Sequence, residues 1–325
     1  MGNIKWVKYN DKHQGPRYRG KHKYDPPKPW GPWTKVMGVV ARCEGNHDTV
    51  VMYDGTGVTW GFLQWTFTSG RLQKMLESFK SIPHYDFTSE KEDSVCTLFD
   101  DLCCYNGGTQ LFKKFGFEIR TGRFVDVSRA TVLDPAKNKK RINDICLGKS
   151  FNTFKDQKMF AMRLAQLFAD MDSPEAAAAQ IQFAKHEFKR SLGYKRKPLG
   201  KVKTIDNLLP EILWETPVPG IFFNLWQNSP AGAYKLFLGS WRTATIKGVA
   251  SAKDFNNGIC NISTDPWDFF DIVWRRLNKT AYANWGWNSR RYKAGKGKPR
   301  ITRIKPAIKE FYGVDLEGID LKYYK

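Results

Sequence analysis

Apolar side chains recur at helical spacing in several separate stretches of the chain. The first stretch predicts a helix over residues 34–44, with Thr34 as its N-cap and Gly45 just past its end. Its apolar residues follow i, i+3, i+4, i+7 spacing and are Val36, Val39, Val40 and Cys43. Glu44 therefore falls in the last turn of this predicted helix.

The pattern changes to strand-like runs soon after this helix. Two β-rich runs, residues 50–53 and 58–60, flank an Asp-Gly turn that begins at Asp54. Aspartate followed by glycine between such runs is a strong short-range hairpin signal. We expect the hairpin to present the Asp54 carboxylate, the Thr59 hydroxyl and the Gln64 amide on one wall of a cleft.

Most of the remaining chain predicts helices, so the expected fold class is mainly α (α+β) with one small sheet. The expected helices span residues 71–80, 94–104, 109–115, 154–170, 174–193, 208–215, 221–228, 230–238 and 266–278. A short strand is expected at 124–127. The basic run 137–141 is expected to be an exposed loop, with contact to an anion as the alternative.

The organisation of the chain suggests three segments. Residues 1–29 form a basic tail, residues 30–245 a catalytic region, and residues 246–325 an accessory region of helices and basic segments. Two interpretations of the first segment stay open: a mobile solvated tail, or an arm that packs on the domain or adheres to an anionic surface. Aromatic and basic residues occur together over 285–305, and three interpretations stay open: a grip on single-stranded nucleic acid or a glycan strand, a flexible basic segment with no dedicated ligand, or contact with a membrane or lipopolysaccharide.

The net charge of +21 over 325 residues indicates an anionic partner, which can be a cell-wall polymer, an anionic lipid or lipopolysaccharide, or a nucleic acid. A mean hydropathy of −0.53 is typical of a soluble globular protein. No apolar run is long enough for a membrane span, and the N-terminus lacks the apolar segment of a signal peptide. We therefore expect synthesis in the cytosol and no transmembrane segment.

Cysteine and histidine usage gives no sign of a metal centre. The six cysteines form no C-x-x-C pair, and none has metal-ligand spacing to one of the five histidines. We expect reduced thiols, no metal and no cofactor.

The position of Glu44 suits a general acid. A carboxylate at the C-terminal end of a helix is disfavoured by the helix dipole, and an apolar wall of nearby aromatic rings would disfavour it further. Both effects predict a raised pKa and a carboxyl that is protonated near neutral pH. Glycosidases commonly pair such an acid with a second carboxylate, for which Asp54 and Asp48 are the candidates.

These residues resemble the active sites of the lysozyme superfamily. The order Glu44-Gly45, Asp54, Thr59, Gly61 is similar to the phage-type lysozyme site, and Gly61-Phe62-Leu63-Gln64 is similar to the G-L-M-Q motif of lytic transglycosylases and goose-type lysozymes. The resemblance implies a lysozyme-like helical domain in which Glu44 is the acid, Asp54 and Thr59 hold the water, and Gln64 binds sugar. Further candidates for substrate contact are Tyr53, Trp60 and Asp48.

The resemblance leaves the reaction open. The sequence separation between Glu44 and Asp54 is one residue longer than in the phage type. Transglycosylases share the Gln64 motif but lack a second carboxylate. The string from Asp54 to Gly61 is also similar to chitosanases, although polycationic chitosan suits a basic protein poorly. We therefore expect a peptidoglycan glycosidase (a muramidase, endolysin or virion-associated lysin) that acts on the bacterial cell wall. The alternatives are a lytic transglycosylase, a chitosanase-like enzyme, and a non-enzymatic nucleic-acid-binding or virion-structural protein.

Overall fold

The chain divides into two compact units in the computed structural model. The sheet unit comprises Met1–Pro27 and Gly45–Ala184, and the helical unit comprises Lys28–Glu44 and Lys185–Lys325. These limits differ from the three segments suggested by the sequence. The structure describes residues 4–8, 10, 13–26, 30–78, 83–86, 91–97, 112–194, 204–279 and 301–316.

A five-stranded antiparallel sheet, in the order β1-β2-β3-β4-β5, contains the predicted hairpin. Its strands are β1 Lys5–Lys8, β2 Gln14–Tyr18, β3 Val50–Val51, β4 Thr59–Trp60 and β5 Trp65–Thr66. Val50 pairs with Trp60 and Val51 with Thr59, so β3 and β4 form the hairpin around the Asp-Gly turn. The strands β1 and β2 come from the predicted basic tail, and they fit the interpretation of this segment as an arm that packs on the domain.

The rest of the sheet unit surrounds an aromatic core. Its further elements are α2 Arg71–Ser78, β6 Pro83–Asp86, β7 Lys91–Thr97, β8 Phe117–Arg120, β9 Arg123–Asp126, β10 Thr131–Leu133, α3 Lys139–Cys146 and α4 Phe154–Ala169. Strands β8, β9 and β10 form a three-stranded sheet, and β6 pairs with β7. The ring of Phe67 lies 5.2–5.9 Å from the rings of Phe117, Phe124 and Phe168, so one aromatic side chain joins strand and helix in the core.

The helical unit packs around the first predicted helix. Its elements are α1 Pro32–Cys43, α6 Ile205–Leu208, α7 Val218–Asn228, α8 Pro230–Ile246, α9 Ala252–Asn256, α10 Pro266–Lys279 and α11 Ile301–Tyr312, and α5 Pro174–Leu192 continues into it from the sheet unit. Helix α1 lies against α7 and α11. Glycine permits this close approach, because a Cβ on Gly38 would lie 2.4 Å from the ring of Phe311.

The fold class is therefore confirmed as mainly α with antiparallel sheets. Several local predictions were wrong. Helix α1 begins at Pro32 with Gly31 as N-cap, because proline suits a first turn that needs no backbone N–H, and Thr34 lies inside the helix. Residues 139–146 form α3 rather than a loop, since Ile142 and Cys146 bury one face of it.

Another error concerns the segment after α2. Residues 91–97 form strand β7, where the sequence pattern predicted a helix from residue 94. The remainder of that predicted helix lies outside the described residues, as do residues 109–111 of the predicted 109–115 helix and most of the basic aromatic segment 285–305.

A buried ion pair holds β9 to α3 and gives the sheet unit a predicted acid sensitivity. Arg141 donates from Nε to Asp126 Oδ2 at 2.8 Å, and Ser128 donates to Asp126 Oδ1. Burial acts to raise the pKa of Asp126, but the bonds from Ser128 and Arg141 outweigh it and lower the pKa below 3.8. The folded chain thus binds this proton less readily than the unfolded chain, so the stabilisation is present above pH 3.8 and is lost as the pH falls.

We expect Arg141→Ala to lower the free energy of unfolding by about 2 kcal/mol at neutral pH. The difference between the variant and the unaltered protein should shrink as the pH falls below 3.8, because protonation of Asp126 removes its charge-assisted bond to Arg141. Urea unfolding at a series of pH values measures this. A difference that is constant with pH would contradict the assigned role of the pair.

Candidate active site

Glu44 is a buried carboxyl at the end of α1. It is the C-cap residue, with φ −88° and ψ −162°, and its backbone N–H donates to the carbonyl of Val40. Only 6% of the residue is exposed. The buried Asn224 of α7 donates from Nδ2 to Glu44 Oε1 at 2.9 Å. Because an amide N–H can donate to that oxygen whether the carboxyl is protonated or ionised, Asn224 can hold the group in place through a proton transfer.

An arginine from α11 satisfies the carbonyls at the same helix end. Arg303 donates from Nη1 to the carbonyl oxygen of Cys43 at 3.2 Å and lies 3.5 Å from that of Glu44. A cation at this position offsets the negative end of the helix dipole. The sequence argument considered the dipole and an apolar wall, and it missed this opposing charge.

A second arginine fixes the last turn of α1 on α11. Arg42 donates to both carboxylate oxygens of Glu310, at 3.0 and 2.7 Å. These hydrogen bonds lower the pKa of Glu310, so the pair is ionised at neutral pH. Together with Asn224 and Arg303, this pair locks the backbone and side chain of Glu44 within the helical unit.

The hairpin of the sheet unit carries a short chain of hydroxyl groups that ends on Asp54. The hydroxyl oxygens of Thr59 and Thr56 lie 2.7 Å apart, and Thr56 donates its own hydroxyl to Asp54 Oδ1. Thr59 is almost fully buried, whereas Asp54 is exposed. A proton can therefore pass from the buried Thr59 hydroxyl toward a solvated carboxylate without movement of the backbone.

Thr56 is a residue that the sequence analysis missed. Its backbone N–H and its hydroxyl both bond to Asp54 Oδ1, which is the pattern of an Asx turn. The signal was present in the sequence, because a threonine two residues after an aspartate at a turn commonly makes these bonds. The structure thus places Asp54 and Thr59 together, as predicted, but through Thr56.

The side chains of two further candidates, Gln64 and Tyr53, make contacts within the sheet unit. Gln64 adopts a left-handed backbone conformation at φ 55°, and its Nε2 donates to the carbonyl of Gly61 at 2.7 Å. This bond closes the turn between β4 and β5 and fixes the orientation of the side-chain amide. Tyr53 is half-buried, and the guanidinium of Arg17 lies 5.9 Å from its ring centroid.

Trp60 and Asp48 do not fit the substrate contacts predicted for them. Trp60 is fully buried, with its ring 5.7 Å from that of Phe168, so it offers no face to a sugar. Asp48 is also fully buried and accepts the backbone N–H groups of Lys21 and His22 at 2.9–3.1 Å. These bonds make Asp48 an anchor for the 20–22 loop rather than a second catalytic carboxylate.

The buried carboxylate of Asp48 also explains why residue 20 is a glycine and why the pKa of Tyr18, at the end of β2, is raised. A Cβ on Gly20, whose φ is 69°, would lie 2.3 Å from Asp48 Oδ1. The pKa of Tyr18 is raised to about 12, first by burial and then by the charge of Asp48 and a hydrogen bond to it. The loop is thus built closely around one carboxylate.

Three residues of this region offer metal-ligand atoms, although the sequence predicted no metal. His22, Asp48 and Asp172 each place one ligand atom within 4.8 Å of the others. Nδ1 of His22 lies 3.2 Å from Asp48 and 3.4 Å from Asp172, which are also the distances of ordinary histidine–carboxylate pairs. Sequence spacing does not reveal such a group, because its members come from three distant parts of the chain.

An aromatic groove of about 690 Å³ lies in the helical unit at the start of α1. Trp33 and Trp214, both half-exposed, lie with ring centroids 4.8 Å apart, and Trp33 stacks on Phe223. Nε1 of Trp214 donates to the carbonyl of Leu209, so this ring is fixed in orientation. Rigid, part-exposed indole rings beside the polar side chains of Asp206 and Glu211 suit the apolar faces and hydroxyls of sugar rings.

The peptide bond between Glu44 and Gly45 joins the two units. Gly45 donates its backbone N–H to the carbonyl of Phe62 at 3.0 Å, within the sheet unit. The boundary between the two units therefore falls directly after Glu44 in the sequence.

Comparison of the chain with known protein families, curated proteins and solved structures finds no match. Among the described residues, no helix has both the length and the apolar character needed to span a bilayer. The function of the chain therefore has to follow from its own residues.

Proposed function

We propose that this chain is a glycosidase that cleaves the glycan strand of peptidoglycan, with Glu44 as its general acid. The observation that supports this most is the buried carboxyl of Glu44, which accepts a hydrogen bond from the buried amide of Asn224. A carboxyl that is shielded from water and held in place by an amide donor has the properties of a proton donor in glycoside cleavage.

In the proposed reaction, Glu44 gives its proton to the glycosidic oxygen as the bond from that oxygen to the anomeric carbon breaks. A water molecule forms the new bond to the anomeric carbon, oriented by the hydroxyl of Thr59. The proton that this water releases passes through the hydroxyls of Thr59 and Thr56 to Asp54, along the two hydrogen bonds of the hairpin. Solvent returns the protons to their starting positions.

The net charge of +21 supports peptidoglycan as the substrate, because its peptide carboxylates are anionic. The aromatic groove at Trp33 and Trp214 supports a polysaccharide in general. In this proposal the protein acts on the bacterial cell wall, either from a lysing host cell or from a virion.

The hydroxyl chain favours hydrolysis over formation of an anhydro sugar, since it provides a route for the proton of an attacking water. We expect the released muropeptides to carry reducing ends and to gain one ¹⁸O atom when the digestion is performed in H₂¹⁸O. Mass spectrometry of the products measures both. Products with anhydro ends and no label would show that the sugar closes on itself, which would contradict the role given to Asp54 and Thr59.

A matched pair of variants tests the same route. Thr59→Val removes the hydroxyl with little change in volume and should lower the rate by about a hundredfold, a typical loss for removal of a group that assists proton transfer. Thr59→Ser keeps the hydroxyl and should retain most of the rate. Equal rates in the two variants would exclude the hydroxyl from the reaction.

A further inference from the structure

The outward face of α4 exposes large apolar side chains. Phe154, the first residue of the helix, is 52% exposed, Met159 is 46% exposed, and Phe151, three residues before the helix, is 43% exposed. The inner face of the same helix buries Ala161, Leu164, Ala165 and Phe168. Helix α4 therefore has an apolar face toward the core and a second one toward the outside, which its role in the fold does not require.

This outer face borders a groove of about 600 Å³. Its apolar lining consists of Ile4, Phe115, Met159, Met162 and Leu167, and its basic lining consists of Lys114, Lys155, Lys158 and Arg163. A volume of this size lies within the range of about 300–1,000 Å³ that is usual for ligand sites. The groove thus combines an apolar floor with a rim of cations.

Ring contacts extend the groove into a continuous surface within the sheet unit. The ring of Phe160 lies 5.2 Å from that of Phe151 and 5.3 Å from that of Phe115, which lines the groove. Trp6 of β1 meets the ring of Phe154 edge-on at 5.6 Å. The exposed phenylalanines and the groove therefore belong to one surface, which we call the α4 surface.

The cations of the α4 surface are available to an external anion. Lys114, Lys155 and Arg163 form no ion pair with any carboxylate of the described residues, and Lys158 lies 5.9 Å from the ring of Trp6. The one carboxylate in the lining, Asp170, accepts a hydrogen bond from Gln166. Four cations against one carboxylate leave the surface strongly positive.

We propose that the α4 surface docks on a bilayer that contains anionic phospholipids. Acyl chains would contact the methionines and phenylalanines, and the phosphate groups would lie against the lysines and Arg163. A basic rim around exposed aromatic side chains is the composition of segments that lie in a membrane interface. A nucleic acid or a glycan would contact the cations and stack on the phenylalanines, but it would leave the thioether side chains of Met159 and Met162 in water.

This inference does not depend on the proposed glycosidase activity. Binding to vesicles requires no cleavage, and cleavage of soluble peptidoglycan fragments requires no membrane, so each proposal can fail without the other.

The test is sedimentation of the full chain with vesicles of phosphatidylcholine alone or mixed with phosphatidylglycerol. We expect binding to the mixed vesicles only. The triple variant Lys155→Gln, Lys158→Gln, Arg163→Gln should bind about a hundredfold more weakly, since each basic residue near an anionic bilayer contributes roughly fivefold. The control variant removes the same charge from exposed residues outside the groove, and its affinity for the vesicles should fall by less than about threefold. Its substitutions are Lys137→Gln, Lys139→Gln and Lys140→Gln.

The apolar contribution is tested at high salt, where surface electrostatics are screened. Met159→Gln should weaken the binding that remains by about fivefold or more, because it removes a side chain that would enter the interface. Val132→Gln is the control, since Val132 is 49% exposed on β10 and does not line the groove. Met159 is largely exposed, so its variant should fold, which melting curves can verify.

Three results would overturn the proposal. The first is no binding to the mixed vesicles. The second is an equal loss in the two triple variants, which would mean that the net charge of the chain is responsible wherever it lies. The third is an equal effect of Met159→Gln and Val132→Gln, which would mean that no apolar side chain of this surface enters the bilayer.

Discussion

The Glu44→Gln variant is expected to fold normally and to cleave peptidoglycan about a thousandfold more slowly than the unaltered protein. Glutamine has the shape of glutamate, and its amide oxygen can still accept the hydrogen bond from Asn224. It cannot deliver a proton to the glycosidic oxygen. Loss of turbidity of permeabilised bacteria and release of reducing ends from purified walls both measure the rate.

A matched substitution separates this effect from a general effect of charge. Glu215→Gln removes a carboxyl of the same helical unit whose side chain is 70% exposed and paired with Lys35, and it should keep its full rate. Comparable rates for the Glu44 and Glu215 variants, with equal melting temperatures, would show that Glu44 is a structural carboxyl and would remove the basis of the proposed function.

The Asp48→Ala variant is expected to lose about 3 kcal/mol of stability and to melt about 10 °C lower. The substitution leaves the backbone N–H groups of Lys21 and His22 without their shared acceptor in a part-buried loop. Loop 20–22 follows β2, and these bonds hold it to the segment that precedes β3, so their loss weakens the packing of β2 in the sheet unit. Thermal melting followed by circular dichroism measures the change.

The Asp54→Ala variant is expected to keep its stability and to lose cleavage rate. Asp54 is exposed, so its removal should shift the melting temperature by less than about 2 °C while lowering the cleavage rate. The two aspartates are thus distinguished as anchor and reactant. A stable Asp48→Ala variant with a lost rate would reverse these roles and would return Asp48 to the reaction.

The parts of the fold that were predictable depend on residues close together in the sequence. Helix α1 and the hairpin of β3 and β4 follow from periodicity and from the Asp-Gly turn, and α4 and α5 follow from their spacing and from Pro174. The strands β1 and β2 gave no such signal. They exist because they pair with each other and with β3, and Val50 lies more than thirty residues after Tyr18.

The residues of the candidate site also divide into those that the sequence predicts and those that it does not. Glu44, Asp54 and Thr59 were predictable, and Thr56 could have been, because all belong to one short segment. Asn224 and Arg303 were not, since they reach Glu44 only after α7 and α11 pack on α1. The predictions for Trp60 and Asp48 fail for one reason: the sequence shows which side chains lie in or near the hairpin but not which of them distant segments bury. Helix α4 covers Trp60, and loop 20–22 encloses Asp48.

The division of the chain into units has a consequence for its modularity. The helical unit takes α1 from before residue 45 and its remaining helices from after residue 184, so the sheet unit from Gly45 to Ala184 is an insertion between them. The sheet unit in turn takes β1 and β2 from before residue 28. No single cut therefore separates the two units, because a cut after Ala184 leaves Lys28–Glu44 attached to the sheet unit and a cut after Pro27 leaves Gly45–Ala184 inside the helical unit. Recombination at one crossover would always mix the two parents within at least one unit.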